Sequence, residues 1–191
     1  MLRTCEGAQL VEFAIVLPLL VVLVVGIADF GGGYALKDKL TNAGREGARI
    51  SVSGPDDLTN ASSTACNGVP CSVQAAATSA VNYLTNAGVS ACSLDPSSTS
   101  PTSDGPNTFG WTYTSPSNCP GTTSPMSINI ERAVTTPVTV GSTTTTVLMT
   151  RVTISYPYKW AFGSVVKLLA PSSTYATTVT LSAVVIMPNL N

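Results

Sequence analysis

An uncharged apolar run near the N-terminus is the strongest pattern in the chain. Residues 13–28 carry no charge, and with Leu10 and Val11 the run approaches the roughly 20 residues that span a bilayer. A helix that is apolar on every side is typical of a membrane span, and a soluble domain of this size rarely buries one. The pattern predicts a transmembrane helix over residues 8–30, with a buried core helix as the alternative.

The next segment, residues 34–50, has the spacing of an amphipathic helix. Its apolar and small positions recur three and four apart: Leu36, Leu40, Ala43, Gly47 and Ile50. Glu46 and Arg49 lie three apart and can pair, which at a surface contributes about 0–1 kcal/mol. We assign residues 31–54 to a stalk helix, although the three glycines at 31–33 argue against a rigid, unbroken one.

The remainder, residues 55–191, has the pattern of one helix and several strands. Residues 72–87 carry an apolar helical stripe, with Ser72 as the expected N-cap and Gly88 as the expected stop. Strand-like alternation follows at four places: Phe109 to Tyr113, Ile128 and Ile130, Leu148 to Tyr158, and Val179 to Met187. Val140 to Thr146 suits a hairpin link. The predicted fold class is α+β, a long N-terminal helix followed by a helix packed on an antiparallel sheet.

Two aromatic groups in this domain admit a second interpretation. The row Phe109, Trp111 and Tyr113 could form a binding platform, although packing within a strand is favoured. Trp160 and Phe162, together with the apolar residues that follow them, could enter a membrane surface, although core packing is favoured. Those apolar residues are Val165, Val166, Leu168 and Leu169.

Composition argues against catalysis and against nucleic-acid binding. The chain has no histidine, the commonest general base and catalytic metal ligand. Lysine and arginine are sparse and form no basic patch, and the net charge is -1. The best candidate acids lie mostly in predicted loops: Asp56, Asp57, Asp95, Asp104 and Glu131. We expect no enzymatic activity, no cofactor, no metal and no nucleic-acid partner.

Four cysteines follow the apolar run, whereas Cys5 precedes it. An even number in an exported domain suggests disulfides, and three connectivities are possible for Cys66, Cys71, Cys92 and Cys119. The pairs 66–71 and 92–119 are favoured because each closes a local loop rich in Gly, Pro, Ser and Asn. A zinc site is the weaker alternative, since the spacings give no pair of Cys-x-x-Cys knuckles.

Glu12 abuts the apolar run, where an acid is costly and indicates a function. A cut between Gly7 and Ala8 would give Ala8 a free α-amine and make Glu12 the fifth residue of the mature chain. One helical turn then separates amine and carboxylate, so Glu12 could neutralise that amine or the amine of a neighbouring subunit. With Phe13 after the acid, the segment resembles a prepilin peptidase site. A secretory signal cut before Asp29 is the alternative, and Glu12 argues against it.

The resemblance extends further along the chain. GAQLVEFAIVLPLLVVLVVGIADFG, at residues 7–31, resembles the N-terminus of the TadE-like family of pseudopilins, and TNAGREGAR, at residues 41–49, is similar to the segment that follows the anchor there. VTISY, at 152–156, and LSAVVIMP, at 181–188, are similar to the two closing strands of that family.

The resemblance implies a minor pilin of a tight-adherence, type IV-like pilus. Residues 1–7 would be the leader, and residues 55–191 the exported domain, with a disulfide-rich loop region at 55–125. The chain would be anchored once in the inner membrane, and Glu12 and Phe13 would set its register beside other pilin subunits. Its further partners would be prepilin peptidase, the inner-membrane assembly platform and the lipid bilayer.

Contact between subunits is a second expectation that the resemblance carries. The candidate packing residues are Gly44, Arg45, Glu46, Gly47, Ala48 and Arg49. The small ones among them allow helices to approach closely. The alternatives are a solvated helix face for this segment and, for the whole chain, a membrane-tethered adhesion module that binds through residues 55–125.

Overall fold

A computed structural model describes residues 5–53, 66–104, 109–163 and 178–189, with backbone alone at residues 5, 6, 8 and 140. The described residues fall into two compact units. The first lies within residues 1–35 and 159–179, and the second within residues 36–158 and 180–191. Helix α1, Cys5–Val52, contributes residues to both units.

The first unit contains the apolar part of α1. Within the described chain this is the one helix long and apolar enough to cross a membrane, with a mean hydropathy of 2.9 over an 18-residue window. No residue of that window is buried, which argues against the alternative of a core helix. The helix also runs unbroken through Gly31 to Gly33, contrary to the expectation of an interrupted stalk. Each glycine costs a helix only about 0.5–1 kcal/mol, which good helix formers on both sides can offset.

The second unit contains a five-stranded antiparallel sheet whose spatial order follows the chain order. The strands are β1 Thr102–Ser103, β2 Gly110–Thr114, β3 Ser127–Val140, β4 Thr143–Lys159 and β5 Thr178–Pro188. With α1 and α2, Cys71–Asn86, this makes the predicted α+β fold. The threonines at 143–146 belong to β4 and not to the hairpin link, because β-branched residues suit strands. Gly141, at φ +64°, makes the tight turn with Ser142.

One hydrophobic core unites the second unit. Alternate residues of the central strands are fully buried on the face covered by α2 and the C-terminal part of α1: Tyr113, Ile128, Ile130, Val152 and Ile154. Trp111 is also buried, and Phe109 packs at the edge of the core, so the aromatic row serves strand packing. The opposite face of the sheet carries polar residues such as Asn129, Arg151 and Ser155.

Helix α2, Cys71–Asn86, begins and ends one residue before the predicted bounds of 72 and 87, and Gly88 is the predicted stop. Gly88, at φ +74°, donates its N–H to Thr85, and Val89 donates to Leu84, the two hydrogen bonds of a Schellman C-cap. The N-cap position is Pro70, and Ser72 lies inside the first turn, so the predicted Ser72 cap is wrong. Proline fixes φ near the −56° observed at this position, which suits the residue that precedes a helix.

The Ser72 side chain has a different partner. A β-bulge interrupts the pairing of β3 with β4 between Glu131 and Val134, with Ala133 at φ +61°. The bulge directs Arg132 into the interior, where it is 4% exposed and donates to the Ser72 hydroxyl. This contact joins α2 to the sheet, and no local sequence pattern indicates it.

Tyr113 provides a first testable prediction, because its hydroxyl is buried without a hydrogen-bond partner in the described part of the chain. Burial raises the pKa of Tyr113 to about 12. Above pH 10 the unfolded state loses this proton while the folded state keeps it, so stability falls between pH 10 and pH 12, by about 2–3 kcal/mol. Denaturant unfolding of the full chain in detergent at pH 9 to 12 measures the fall.

Tyr113→Phe is the matched variant. It lacks the ionisable group, so its unfolding free energy should fall less than that of wild type above pH 10. At pH 7 it should equal or exceed wild-type stability by up to about 1 kcal/mol, since no hydrogen bond is lost. Parallel losses in both proteins above pH 10 would contradict the assignment of the effect to Tyr113.

Candidate anchor and assembly site

The residues predicted for processing and register lie on the exposed N-terminal part of α1. Gly7 is exposed within the helix, and the backbone of Ala8 is helical, one turn before Glu12. Gln9, Glu12 and Phe13 share a helix face, and Phe13 is 63% exposed. An apolar ring and a carboxylate thus stand side by side on the surface that a neighbouring helix would meet. Cleavage after Gly7 stays a prediction.

The small residues of the segment at 41–49, which we call the REGAR segment, pack inside their own subunit. Gly44, Gly47 and Ala48 are buried. A Cβ on Gly44 would lie 3.0 Å from Cγ2 of Val185 in β5, and a Cβ on Gly47 would lie 3.0 Å from the carbonyl oxygen of Ala76 in α2. The close approach that these glycines permit is therefore made within the chain, where it brings α1 against α2 and the sheet.

The charged residues of the same segment point outward. Arg49 is exposed and contacts Glu46, with 2.7 Å between Nη2 and Oε1, and this contact raises the pKa of Arg49. Arg45 donates to Asn42 over 3.4 Å. Such exposed pairs contribute little to folding. A subunit contact through the segment stays a prediction, and these three charged side chains are the ones available to make it.

Gly47→Ala tests the intrachain packing. The added methyl must displace the Ala76 carbonyl, so we expect a loss of about 1–3 kcal/mol in unfolding free energy. Thermal and denaturant unfolding of the full chain in detergent measure it. Gly31→Ala is the matched control: nothing lies within 4 Å of its Cβ position, so it should gain up to about 1 kcal/mol. A neutral Gly47→Ala would contradict the close packing.

The four cysteines after α1 form two disulfide bonds, between Cys66 and Cys71 and between Cys92 and Cys119. This is the local pairing that the loop composition favours. The first closes a short loop beside the start of α2, and the second joins the loop after α2 to the loop after β2. Among the described residues no group of three or more His, Cys, Asp or Glu side chains could hold a metal ion.

The candidate acids have structural partners where the structure describes them. Hydrogen bonds from the side chain and backbone of Ser97, and then from Ser98, hold the pKa of Asp95 below its usual range. Asp104 accepts from Asn129 over 2.9 Å, and Glu131 pairs with Arg151 across β3 and β4. Asp56 and Asp57 lie outside the described residues, as do the apolar residues at 165–169.

Asp29 has a role that the sequence analysis missed. It is the first charged residue after the apolar run, and it is only 7% exposed. Its carboxylate accepts the backbone N–H of Phe162, with 2.8 Å between nitrogen and Oδ2. Next to it, the Phe30 and Trp160 rings meet with centroids 5.3 Å apart, inclined at 57°. The sequence signal that could have indicated this role is the position of an acidic residue directly after the apolar run.

An exposed apolar helix followed by a polar disulfide-bonded domain fits a single-pass membrane protein. The comparison with families agrees: residues 7–49 match the model of the TadE-like protein family, which confirms the resemblance over the apolar part of α1 and the REGAR segment. No curated protein and no solved structure matches the chain.

Proposed function

We propose that this chain is a minor pilin, or pseudopilin, that is anchored in the inner membrane and takes part in assembling a tight-adherence pilus. The observation that carries the proposal is the unburied apolar part of α1, which bears Glu12 near its start and falls within the family match. Among the residues that the structure describes, no core covers this part of the helix. Lipid and the helices of other pilins are the surroundings that suit it.

Glu12 can pair with the N-terminal amine of a neighbouring pilin helix. After a cut behind Gly7, the Ala8 amine and the Glu12 carboxylate lie one turn apart on the same chain. In an array of parallel helices the same two groups can pair between subunits, which fixes the axial offset of one helix against the next. Phe13, exposed on the same face, adds an apolar contact beside the ion pair.

The domain outside the membrane serves as a stable, non-catalytic head in this proposal. Its described acidic residues have structural partners: Asp95 accepts hydrogen bonds within a turn, and Glu131 pairs with Arg151 on the next strand. Two disulfides also cross-link its loops. We propose no enzymatic role and no cofactor. The partners are other pilin subunits, prepilin peptidase and the inner-membrane assembly platform.

N-terminal mass spectrometry of the protein purified from its native membrane tests the proposal. We expect the mature chain to begin at Ala8. Prepilin peptidase would cut after Gly7, which makes Glu12 the fifth residue of the mature chain. Gly7→Leu is the matched variant, and it should retain Met1 and stay out of pili.

Two other outcomes would contradict the pilin assignment. A chain that begins at Asp29 would mean a cleaved secretory signal and a soluble exported domain. An intact wild-type N-terminus that begins at Met1 would mean a plain anchor, and the membrane-tethered adhesion module would then be the better account.

A further inference from the structure

A short segment after β4 packs on the end of the apolar run. The Phe162 amide donates to Asp29, the Trp160 ring contacts Phe30, and Phe162 Cε2 lies 3.9 Å from the Cβ position of Gly26. All of these residues belong to the first unit. The Phe162 ring thus lies against the helix surface at Gly26, about one turn before Asp29, at an ordinary van der Waals distance.

The position of these contacts along the helix corresponds to a membrane boundary. From Leu10 to Ala28 the helix rises about 28 Å at 1.5 Å per residue, close to the roughly 30 Å of a bilayer's hydrocarbon core. Asp29 and Phe30 are the next residues, and Phe30 and Tyr34 are 70% and 80% exposed. Aromatic residues concentrate at this level of a membrane, where their rings meet both acyl chains and headgroups.

Asp29 is suited to hold the segment at this level. A carboxylate at the edge of hydrocarbon is costly unless a donor satisfies it. The Phe162 N–H supplies that donor, and the surrounding residues leave the Asp29 side chain buried. The same hydrogen bond fixes the segment at Phe162, so that Trp160 and Phe162 lie against the turn of α1 that leaves the bilayer.

We propose that residues 159–163 form a second membrane contact, an interfacial foot in which Trp160 and Phe162 lie among phospholipid headgroups while Asp29 positions them. The proposal rests on the membrane anchor of the proposed function. Lys159, exposed beside Trp160, would face the phosphates. The foot would fix how deeply α1 sits and how it rotates about its axis, which in turn orients the Glu12 face.

Tryptophan quenching by brominated lipid tests the foot. The full chain is reconstituted into phosphatidylcholine vesicles that carry bromine either near the headgroups or near the bilayer centre. The chain has two tryptophans, and Trp111 is buried in the sheet domain. We expect shallow bromine to quench the wild-type emission and deep bromine to quench it less. Trp160→Phe should abolish the quenching, because only Trp111 remains.

Substitutions at Asp29 test the positioning. Asp29→Ala removes the acceptor of the Phe162 N–H and should lower the shallow quenching of Trp160 by roughly two-fold or more, since the ring is no longer held at the interface. Asp29→Asn retains a side-chain oxygen that can accept the bond and should restore quenching. Equal quenching in wild type and Asp29→Ala would overturn the positioning role.

A probe in the anchor separates failure of the foot from failure of the anchor. Val21→Trp, placed in the Trp160→Phe background, should be quenched most by deep bromine if α1 spans the bilayer. Deep quenching at position 21 without any quenching of Trp160 would overturn the foot and leave the anchor intact. The absence of quenching at both positions would overturn the anchor as well.

Discussion

Glu12→Ala is expected to abolish incorporation of the subunit into pili while leaving its membrane insertion intact. The substitution leaves the Ala8 amine of a neighbouring subunit in an apolar setting without its counter-charge. Loss of one partner of such a buried pair costs about 3–5 kcal/mol, which corresponds to a loss of roughly 100-fold or more in the assembly equilibrium. Immunoblots of sheared pili and of membranes, in a strain that depends on this gene, measure the two pools separately.

Two further variants separate the effect of the Glu12 charge from that of the helix face. Glu12→Gln keeps the size of the side chain but not its charge, and should fail as Glu12→Ala does. Gln9→Ala alters the same exposed face without removing a charge, and should assemble. Mass spectrometry shows whether each variant still begins at Ala8, which distinguishes a processing defect from an assembly defect. Unchanged pilus yield from correctly processed Glu12→Ala would rule out the registry role.

The elements of this fold could be predicted because their signals are local. The apolar run, the stripe over residues 72–87 and the alternation around Ile128 and Ile154 each lie within one element. Such periodicity indicates which face of a helix or strand is apolar. In a domain with one core, the apolar faces of these elements must pack against each other. The same logic gives the strand packing of Trp111 and Tyr113, which the structure buries.

Which element or subunit packs on a given apolar face could not be predicted from the sequence in the same way. Gly44 and Gly47 indicate that something approaches α1 closely. Their spacing is the same whether the partner is another subunit or, as in this structure, β5 and α2 of the same chain. The Arg132 contact with Ser72 joins residues 60 apart, and the contact of Phe162 with Asp29 joins residues 133 apart. Contacts at such separation depend on the chain path, which local patterns do not specify.

Removal of the Cys92–Cys119 disulfide is expected to give the largest loss of stability in the sheet domain. The bond links residues 27 apart, for which the chain-entropy estimate is about 3.5 kcal/mol. The double variant Cys92→Ala, Cys119→Ala should therefore melt roughly 10 °C lower than wild type.

The double variant Cys66→Ala, Cys71→Ala is the matched control, since it also removes one disulfide and two sulfurs. Its loop spans only 5 residues, for which the same estimate is about 2 kcal/mol, so its melting temperature should fall less. Calorimetry of the full chain in detergent compares the two melting temperatures. A reductant added to wild type should lower the melting temperature at least as much as removal of the Cys92–Cys119 disulfide does. An equal fall in melting temperature in the two double variants would mean that the length of the closed loop does not determine how much each disulfide stabilises the domain. A larger loss for Cys66 and Cys71 would instead place the critical constraint at the start of α2, where Arg132 already joins Ser72.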